Sequence, residues 1–199
     1  SLPYRLFGAA DLPGGPAAGA RSRPIRFPHG CFSEKLTHMR LILMRHTKSD
    51  WSTAADGDHD RPLNARGLRS ATALGAWLRA TALMPNLALC STARRAQQTF
   101  SGLALDCPTQ VSDQLYLADA ESLLRIIQDT QAHCLLVVAH NPGIANLARD
   151  VLKCPPKHDR FADYPTGATL VADIPVGTPS DIRLMQGTSH MFVTPADLT

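Results

Sequence analysis

The stretch LILMRH, residues 41–46, is a short aliphatic run that ends in an arginine and a histidine. Its length suits a strand, and the continuous apolar run up to Met44 is typical of a strand buried on both faces of a parallel sheet. The arginine and the histidine therefore stand where the chain leaves the core. Ligands of open α/β sheets gather beyond the carboxyl ends of the strands, so we expect a binding site here.

Strand and helix patterns alternate downstream of this stretch. Apolar runs predict four further strands, at residues 87–90, 134–139, 169–174 and 182–185. Apolar residues at helical spacing predict four helices: one capped by Asn64, one over 92–105, one over 121–129 and one that begins at Pro142. This alternation predicts an α/β fold with a largely parallel sheet.

Composition narrows the class of protein. The chain has 199 residues, 44% hydrophobic and 19% charged, and no run approaches the roughly 20 apolar residues of a membrane span. Its five cysteines are widely spaced and include no Cys-x-x-Cys pair, which favours reduced thiols over a disulfide framework or a zinc site. We therefore expect a cytoplasmic protein with no membrane association, and we expect it to be a monomer.

The net charge of +3 is unevenly distributed. Residues 1–38 hold five basic and two acidic residues, and the rest of the chain holds 15 of each sign. The balanced body argues against a nucleic-acid partner. Residues 1–38 are rich in Pro, Gly, Ala and Arg without a regular period, so we expect a disordered extension before one domain at 39–199, with a targeting segment as the alternative.

Three predicted strand ends carry residues suited to one chemistry. Arg45 and His46 follow the first strand, residues 91–95 (STARR) follow the second, and residues 140–143 (HNPG) follow a third. If these strands are neighbours, two histidines and at least two arginines converge. A neutral imidazole can accept a phosphoryl group, and the guanidinium fork matches phosphate oxygens, so the set predicts a phosphoryl-transfer site.

These segments resemble the motifs of a known family. MRHTKSDW at 44–51 resembles the Arg-His-Gly signature of the histidine phosphatase, or phosphoglycerate-mutase-like, superfamily. Five further segments resemble its SixA-type phosphohistidine phosphatase branch. They are DRPLN at 60–64 with Gly67, STARRAQQT at 91–99, VAHNPG at 138–143, YPTGA at 164–168 and FVTP at 192–195. The resemblance extends from Met39 to about Asp197. It implies a three-layer α/β/α fold and a phosphatase that needs neither metal nor cofactor.

The resemblance also implies residue roles. His46 matches the histidine that accepts the phosphoryl group, and His140 matches the second core histidine. Arg45 and Arg95 match the two phosphate-binding arginines. Ser52 falls where many relatives place a phosphate-contacting asparagine, so it is a further candidate for substrate binding.

Two departures from the family pattern bear on mechanism. Thr47 replaces the usual glycine after the histidine. Relatives that act on alkyl phosphates protonate the leaving oxygen with a carboxylate, but Leu117 stands where that acid is expected. Asp119, Glu121 and Asp50 are candidates for a general acid by proximity in sequence alone.

Three functions follow from these observations. The first is a phosphatase that hydrolyses a phosphomonoester or phosphoramidate, with protein phosphohistidine the expected substrate and a small phosphorylated metabolite the alternative. The second is a non-catalytic phosphate-binding or phosphopeptide-binding module, which the missing acid favours and the retention of both His46 and His140 disfavours. The third, a metallohydrolase with these histidines as ligands, is weak because adjacent arginines repel a cation.

Overall fold

The computed structural model describes residues 38–52 and 57–198. The predicted disordered extension, residues 1–38, lies outside the described residues except for His38. The elements follow in the order β1 (Met39–Arg45), α1 (Ala65–Ala80), β2 (Leu87–Ser91), α2 (Arg94–Leu103), β3 (Thr109–Ser112), α3 (Ala120–Gln128), β4 (Cys134–Ala139), α4 (Gly143–Asp150), β5 (Thr169–Ile174) and β6 (Thr188–Val193). No helix in this part of the chain is long and apolar enough to cross a membrane.

One six-stranded sheet has the strand order β3-β2-β4-β1-β5-β6. Strands β3, β2, β4 and β1 are parallel, whereas β5 runs antiparallel to β1 and β6 antiparallel to β5. The predicted, mostly parallel sheet is therefore confirmed. Because β2, β4 and β1 are neighbours and parallel, the three strand ends that carry histidines and arginines lie at one edge.

The side chains of β1 alternate between two cores. Met39, Leu41 and Leu43 belong to the core that α3 and α4 cover, and Ile42 and Met44 belong to the core that α1 and α2 cover. All five side chains are fully buried. The continuous apolar run thus reflects a central strand with helices on both faces, and the three-layer α/β/α fold is confirmed.

The amino end of α1 is fixed against the loop that follows β1. Asn64 caps the helix, as predicted, because its side-chain oxygen accepts from the Gly67 amide at 2.8 Å. The Asn64 amide donates to the Lys48 carbonyl, and a Cβ atom at Gly67 would lie 2.1 Å from the same oxygen. Only glycine permits this approach, which holds the start of α1 at the edge where β1 ends.

One strand prediction was wrong, and strands β3 and β6 were not predicted. Residues 182–185 form no strand: Ile182 is a single buried anchor after a 3-10 turn, and Met185 has a φ of 59°, which an extended strand does not allow. The last strand is β6, further along the chain. Strand β3 was missed because it is a short edge strand with polar, partly exposed residues and no apolar run.

Candidate active site

The three predicted strand ends converge as expected. Arg45 at the end of β1 pairs in register with Ala139 at the end of β4, and the His46 amide donates to the Ala139 carbonyl at 3.1 Å. The rings of His46 and His140 lie side by side, with centroids 5.1 Å apart. Parallel strand order thus places both histidines in one pocket.

The hydrogen bonds of His46 define the tautomer of its ring. Nδ1 lies 2.7 Å from the Thr47 carbonyl oxygen, which can only accept, so Nδ1 carries the proton. On the other side of the ring, the Arg95 Nε–H donates to Nε2 at 3.3 Å. Nε2 therefore holds a lone pair that is directed toward Arg95. A neutral imidazole with its lone pair beside a guanidinium is chemically suited to attack a phosphorus atom whose oxygens the guanidinium would hold.

Burial keeps both histidines neutral. Burial, with smaller contributions from His140, Arg95 and Arg45, lowers the pKa of His46 to about 3 against the opposing effect of the Thr47 carbonyl. Burial and then Arg95 lower the pKa of His140 to about 3 as well. At neutral pH each ring therefore keeps an unprotonated nitrogen.

His140 offers one ring nitrogen to a ligand. Its Nε2 lies 2.8 Å from the Ser91 hydroxyl, whereas Nδ1 is buried and has no hydrogen-bond partner in the described part of the chain. When the Ser91 hydroxyl donates to Nε2, Nδ1 carries the ring proton. That proton can then be donated to a phosphoryl oxygen in the pocket.

The two predicted arginines, Arg45 and Arg95, lie near enough to each other to interact electrostatically, and Arg95 is the more buried. Arg95 is 2% exposed, whereas its neighbour Arg94, the less favoured alternative, is exposed to solvent. Arg45 donates from one terminal nitrogen to the Tyr164 carbonyl at 3.0 Å, and its buried Nε has no partner among the described residues. Burial and Arg95 lower the pKa of Arg45. An anion between the two guanidinium groups would relieve their repulsion.

The structure adds a carboxylate that sequence reasoning missed. One Asp58 oxygen accepts from Arg95 at 3.0 Å and from the Tyr116 hydroxyl at 2.7 Å, and the other accepts from Arg61 at 2.6 Å. These donors, Tyr116 first, lower the pKa of Asp58, which is therefore ionised. Tyr116 also sets its ring edge against His140, with centroids 5.5 Å apart. Asp58 thus orients Arg95 and the wall of the pocket.

The other sequence candidates lie outside this cluster. Ser52 is exposed, and its amide and hydroxyl donate to Asp50. Asp119 caps α3 by accepting from the Ser122 amide at 2.8 Å, and Glu121 pairs with an arginine one helical turn away on an exposed face. Within residues 38–52 and 57–198, no contact joins any of these side chains to His46 or His140. The same residues contain no group of three or more His, Cys, Asp or Glu side chains that could hold a metal ion.

Fold and site together define an α/β protein with a neutral histidine and two arginines at the carboxyl edge of its sheet. The family model that matches residues 41–116 is the histidine phosphatase superfamily, branch 1. An uncharacterized protein of Mycobacterium tuberculosis is 40% identical over 107 residues, which are 53% of this chain and 67% of that relative. An uncharacterized protein of Mycobacterium leprae is 34% identical over 110 residues, which cover 53% of this chain and 68% of that relative.

Solved structures agree with this match. A proposed phosphohistidine phosphatase SixA from Nakamurella multipartitia is 27% identical, with a TM-score of 0.71 over 79% of this chain and 96% of that one. A protein histidine phosphatase SixA complexed with tungstate has the same fold at 21% identity. Its TM-score is 0.66, and the match covers 81% of this chain and 100% of that one. The chain belongs to the histidine phosphatase superfamily, in its SixA-type branch. This membership supports phosphatase activity, the activity of a hydrolase.

The buried histidines predict a loss of stability in mild acid. The unfolded imidazole has an ordinary pKa and takes up a proton below about pH 6.5, whereas folded His46, with a pKa of about 3, does not. Protons therefore favour the unfolded state, and from pH 7 to pH 5 we expect His46 alone to remove about 1–2 kcal/mol from the free energy of unfolding. Urea unfolding at the two pH values measures this change.

The matched variants are His46→Gln, which should remove the His46 share of the pH dependence and keep the share of His140, and His133→Gln at an exposed position, which should leave the wild-type dependence. An unchanged pH dependence in His46→Gln would contradict the assignment of a buried, neutral His46.

Proposed function

We propose that this protein is a phosphatase that acts on phosphoramidates, above all phosphohistidine in proteins, through a covalent phosphohistidine on His46. The observation that carries this proposal is the His46 Nε2 lone pair, directed at Arg95 in a pocket that also holds Arg45. Membership of the SixA-type branch supports the substrate class. A small phosphorylated metabolite remains the alternative substrate.

In the first step, the His46 Nε2 lone pair forms a bond to phosphorus while the bond from phosphorus to the leaving group breaks. Arg45 and Arg95 stabilise the charge on the transferring oxygens, and His140 donates to one of them from Nδ1. The Thr47 carbonyl keeps the proton on the other ring nitrogen of His46, so it stabilises the positive charge that develops on the ring.

In the second step, water attacks the phosphorus of the phosphoenzyme. The bond from phosphorus to Nε2 breaks, the ring regains its lone pair, and inorganic phosphate leaves with the oxygen of the water. The proton lost by the water passes to the departing phosphate or to solvent. The same arginines and His140 serve both steps because the same oxygens carry the charge.

The proton donors near the pocket determine the substrate class. Asp58 is ionised, and burial, together with the hydrogen bond that the Tyr116 hydroxyl donates to Asp58, raises the pKa of that phenol. Neither group is suited to protonate an alkoxide. A phosphorylated imidazole needs no such acid, because its second ring nitrogen takes a proton from solvent and the ring leaves as neutral imidazole.

A non-catalytic phosphate-binding module is the second candidate, and one observation favours it. Asp58 engages Arg95 through an ion pair, so this arginine is already partly neutralised before a substrate binds. Binding of inorganic phosphate or tungstate without turnover of any phosphorylated compound would support the module over the enzyme.

We also propose that the reaction needs no metal ion and that the protein acts as a cytoplasmic monomer. The support for metal independence is chemical: two arginines beside the histidines repel a cation and supply the charge that a metal would otherwise provide. Activity that persists after dialysis against a strong chelator tests this proposal directly.

The arginines give a ranked prediction. Arg95→Ala and Arg45→Ala should each lower kcat/KM for an aryl phosphate by about 10²–10³, because each removes a charge-assisted donor to the transferring group. The neighbouring Arg94→Ala, at an exposed position, should cost less than about threefold. Steady-state kinetics with circular dichroism as the folding control measure the ranking, and the reverse order would show that the wrong arginine was assigned.

The missing acid predicts a preference for good leaving groups. Single-turnover phosphorylation of the enzyme across a series of aryl phosphates should slow steeply as the pKa of the leaving phenol rises. Phosphohistidine peptide or phosphoramidate should react much faster than phosphoserine peptide or glycerol phosphate. A flat dependence, or efficient use of phosphoserine, would contradict the proposal and would make Asp119, Glu121 and Asp50 the first residues to mutate.

A further inference from the structure

A cluster of cations lies beside the proposed active site and has no role in the chemistry described. Two adjoining hollows of about 290 and 70 Å³ lie between the first turns of α1 and the segment after β6. Their charged lining consists of Lys48, Arg66, Arg69 and Arg160, and no acidic residue of the described chain lines either hollow. We call these four side chains the basic face.

The basic face opens at the same edge of the sheet as the catalytic pocket. Lys48 stands two residues after His46. Thr166 lines the smaller hollow, and the amide of the next residue, Gly167, donates to the carbonyl oxygens of Arg45 and His46. A polypeptide whose phosphorylated side chain reaches His46 would therefore pass close to these cations.

Ion pairs within the described residues do not account for three of these four charges. Lys48, Arg66 and Arg69 are exposed, and in the described part of the chain none lies within ion-pair distance of a carboxylate. Arg160 pairs with Asp163 at 3.1 Å. Two of the arginines lie in the first turns of α1, where no acidic residue offsets them and where the helix dipole disfavours cations. An external anion would relieve this repulsion.

We propose that the basic face docks an acidic stretch of a phosphorylated protein substrate, next to the residue that is dephosphorylated. The inference rests on the proposed function. Charge complementarity supports it, since residues 39–199 are neutral overall and the cations are concentrated here. No aromatic side chain lines the hollows, so they offer no platform on which bases could stack, which disfavours a single-stranded nucleic acid. Exposed charges of this kind select and steer a partner without being buried.

Three synthetic peptides test the inference. Each carries one phosphohistidine in a peptide of equal length, flanked on both sides by Asp and Glu, by Ser and Gly, or by Lys and Arg. At low salt, the wild-type kcat/KM for the acidic peptide should exceed that for the neutral peptide by about tenfold, and added salt should reduce this ratio. The basic peptide should be the poorest substrate.

Charge reversal locates the effect. Arg66→Glu with Arg69→Glu should reduce the ratio of acidic to neutral peptide to about one or below. The matched control, Arg149→Glu with Lys153→Glu, makes the same charge change at the far end of α4 and should keep the wild-type ratio. If circular dichroism shows that the double glutamate variant does not fold, the milder variant Arg66→Gln with Arg69→Gln should still reduce the ratio severalfold.

The outcomes separate this inference from the proposed function. Equal kcat/KM for the three peptides, or the same loss of ratio in the control variant, would overturn docking while leaving the phosphatase intact. Failure of the wild type to turn over any peptide or any aryl phosphate would instead contradict the proposed function. Stronger inhibition by a single-stranded oligonucleotide than by a polyglutamate peptide of equal charge would assign the face to nucleic acid and overturn the inference.

Discussion

The burial of an uncharged imidazole between two arginines is the constraint on which the rest of this site depends. His46 is 7% exposed, and desolvation prevents it from carrying a proton at neutral pH. The Thr47 carbonyl holds the Nδ1 proton, so the lone pair lies on Nε2 and is directed toward Arg95. A charged histidine would be repelled by the arginines and would have no lone pair to offer. Neutrality is thus the condition both for folding this pocket and for its proposed chemistry.

The sheet supplies that burial. Because β1 lies between β4 and β5 with helices on both faces, its carboxyl end leaves the chain next to two apolar cores, and His46 stays buried there. The β4 neighbour brings His140, and β2 brings Ser91, which binds the second ring. The α2 helix that follows β2 then places Arg95 over His46. Four segments that are distant in sequence meet because parallel strands end at one edge.

Sequence alone could predict most of this arrangement, for physical reasons. Continuous apolar runs identify doubly buried strands, so β1, β2, β4 and β5 were predicted, and Asn64 was identified as a helix cap from its position before a helical pattern. The run at 182–185 misled because a single buried Ile182 gives the same local signal as a strand. Edge strand β3 gave no signal because edge strands need few apolar residues.

Asp58 shows what one sequence cannot reveal. It lies in a polar stretch with other aspartates and has no periodic pattern, and its partners Arg95 and Tyr116 are 37 and 58 residues away. Only the fold brings the three together. The resemblance to the SixA-type branch predicts which histidines and arginines meet at the sheet edge. Proximity in sequence, by contrast, pointed to Asp119 and Glu121, which respectively cap a helix and pair on its exposed face.

The most direct test of the account is the identity of the phosphoenzyme. Wild-type protein mixed with a labelled aryl phosphate and quenched within the first turnover should yield a phosphoprotein that is labile in acid and stable in base. Peptide mapping should place the label on His46, and phosphorus NMR should identify the Nε2 isomer, because Nδ1 is held by the Thr47 carbonyl. Label on His140, or phosphorylation at Nδ1 of His46, would contradict the account. So would turnover by the wild type without any phosphoenzyme, or turnover by the His46→Ala variant.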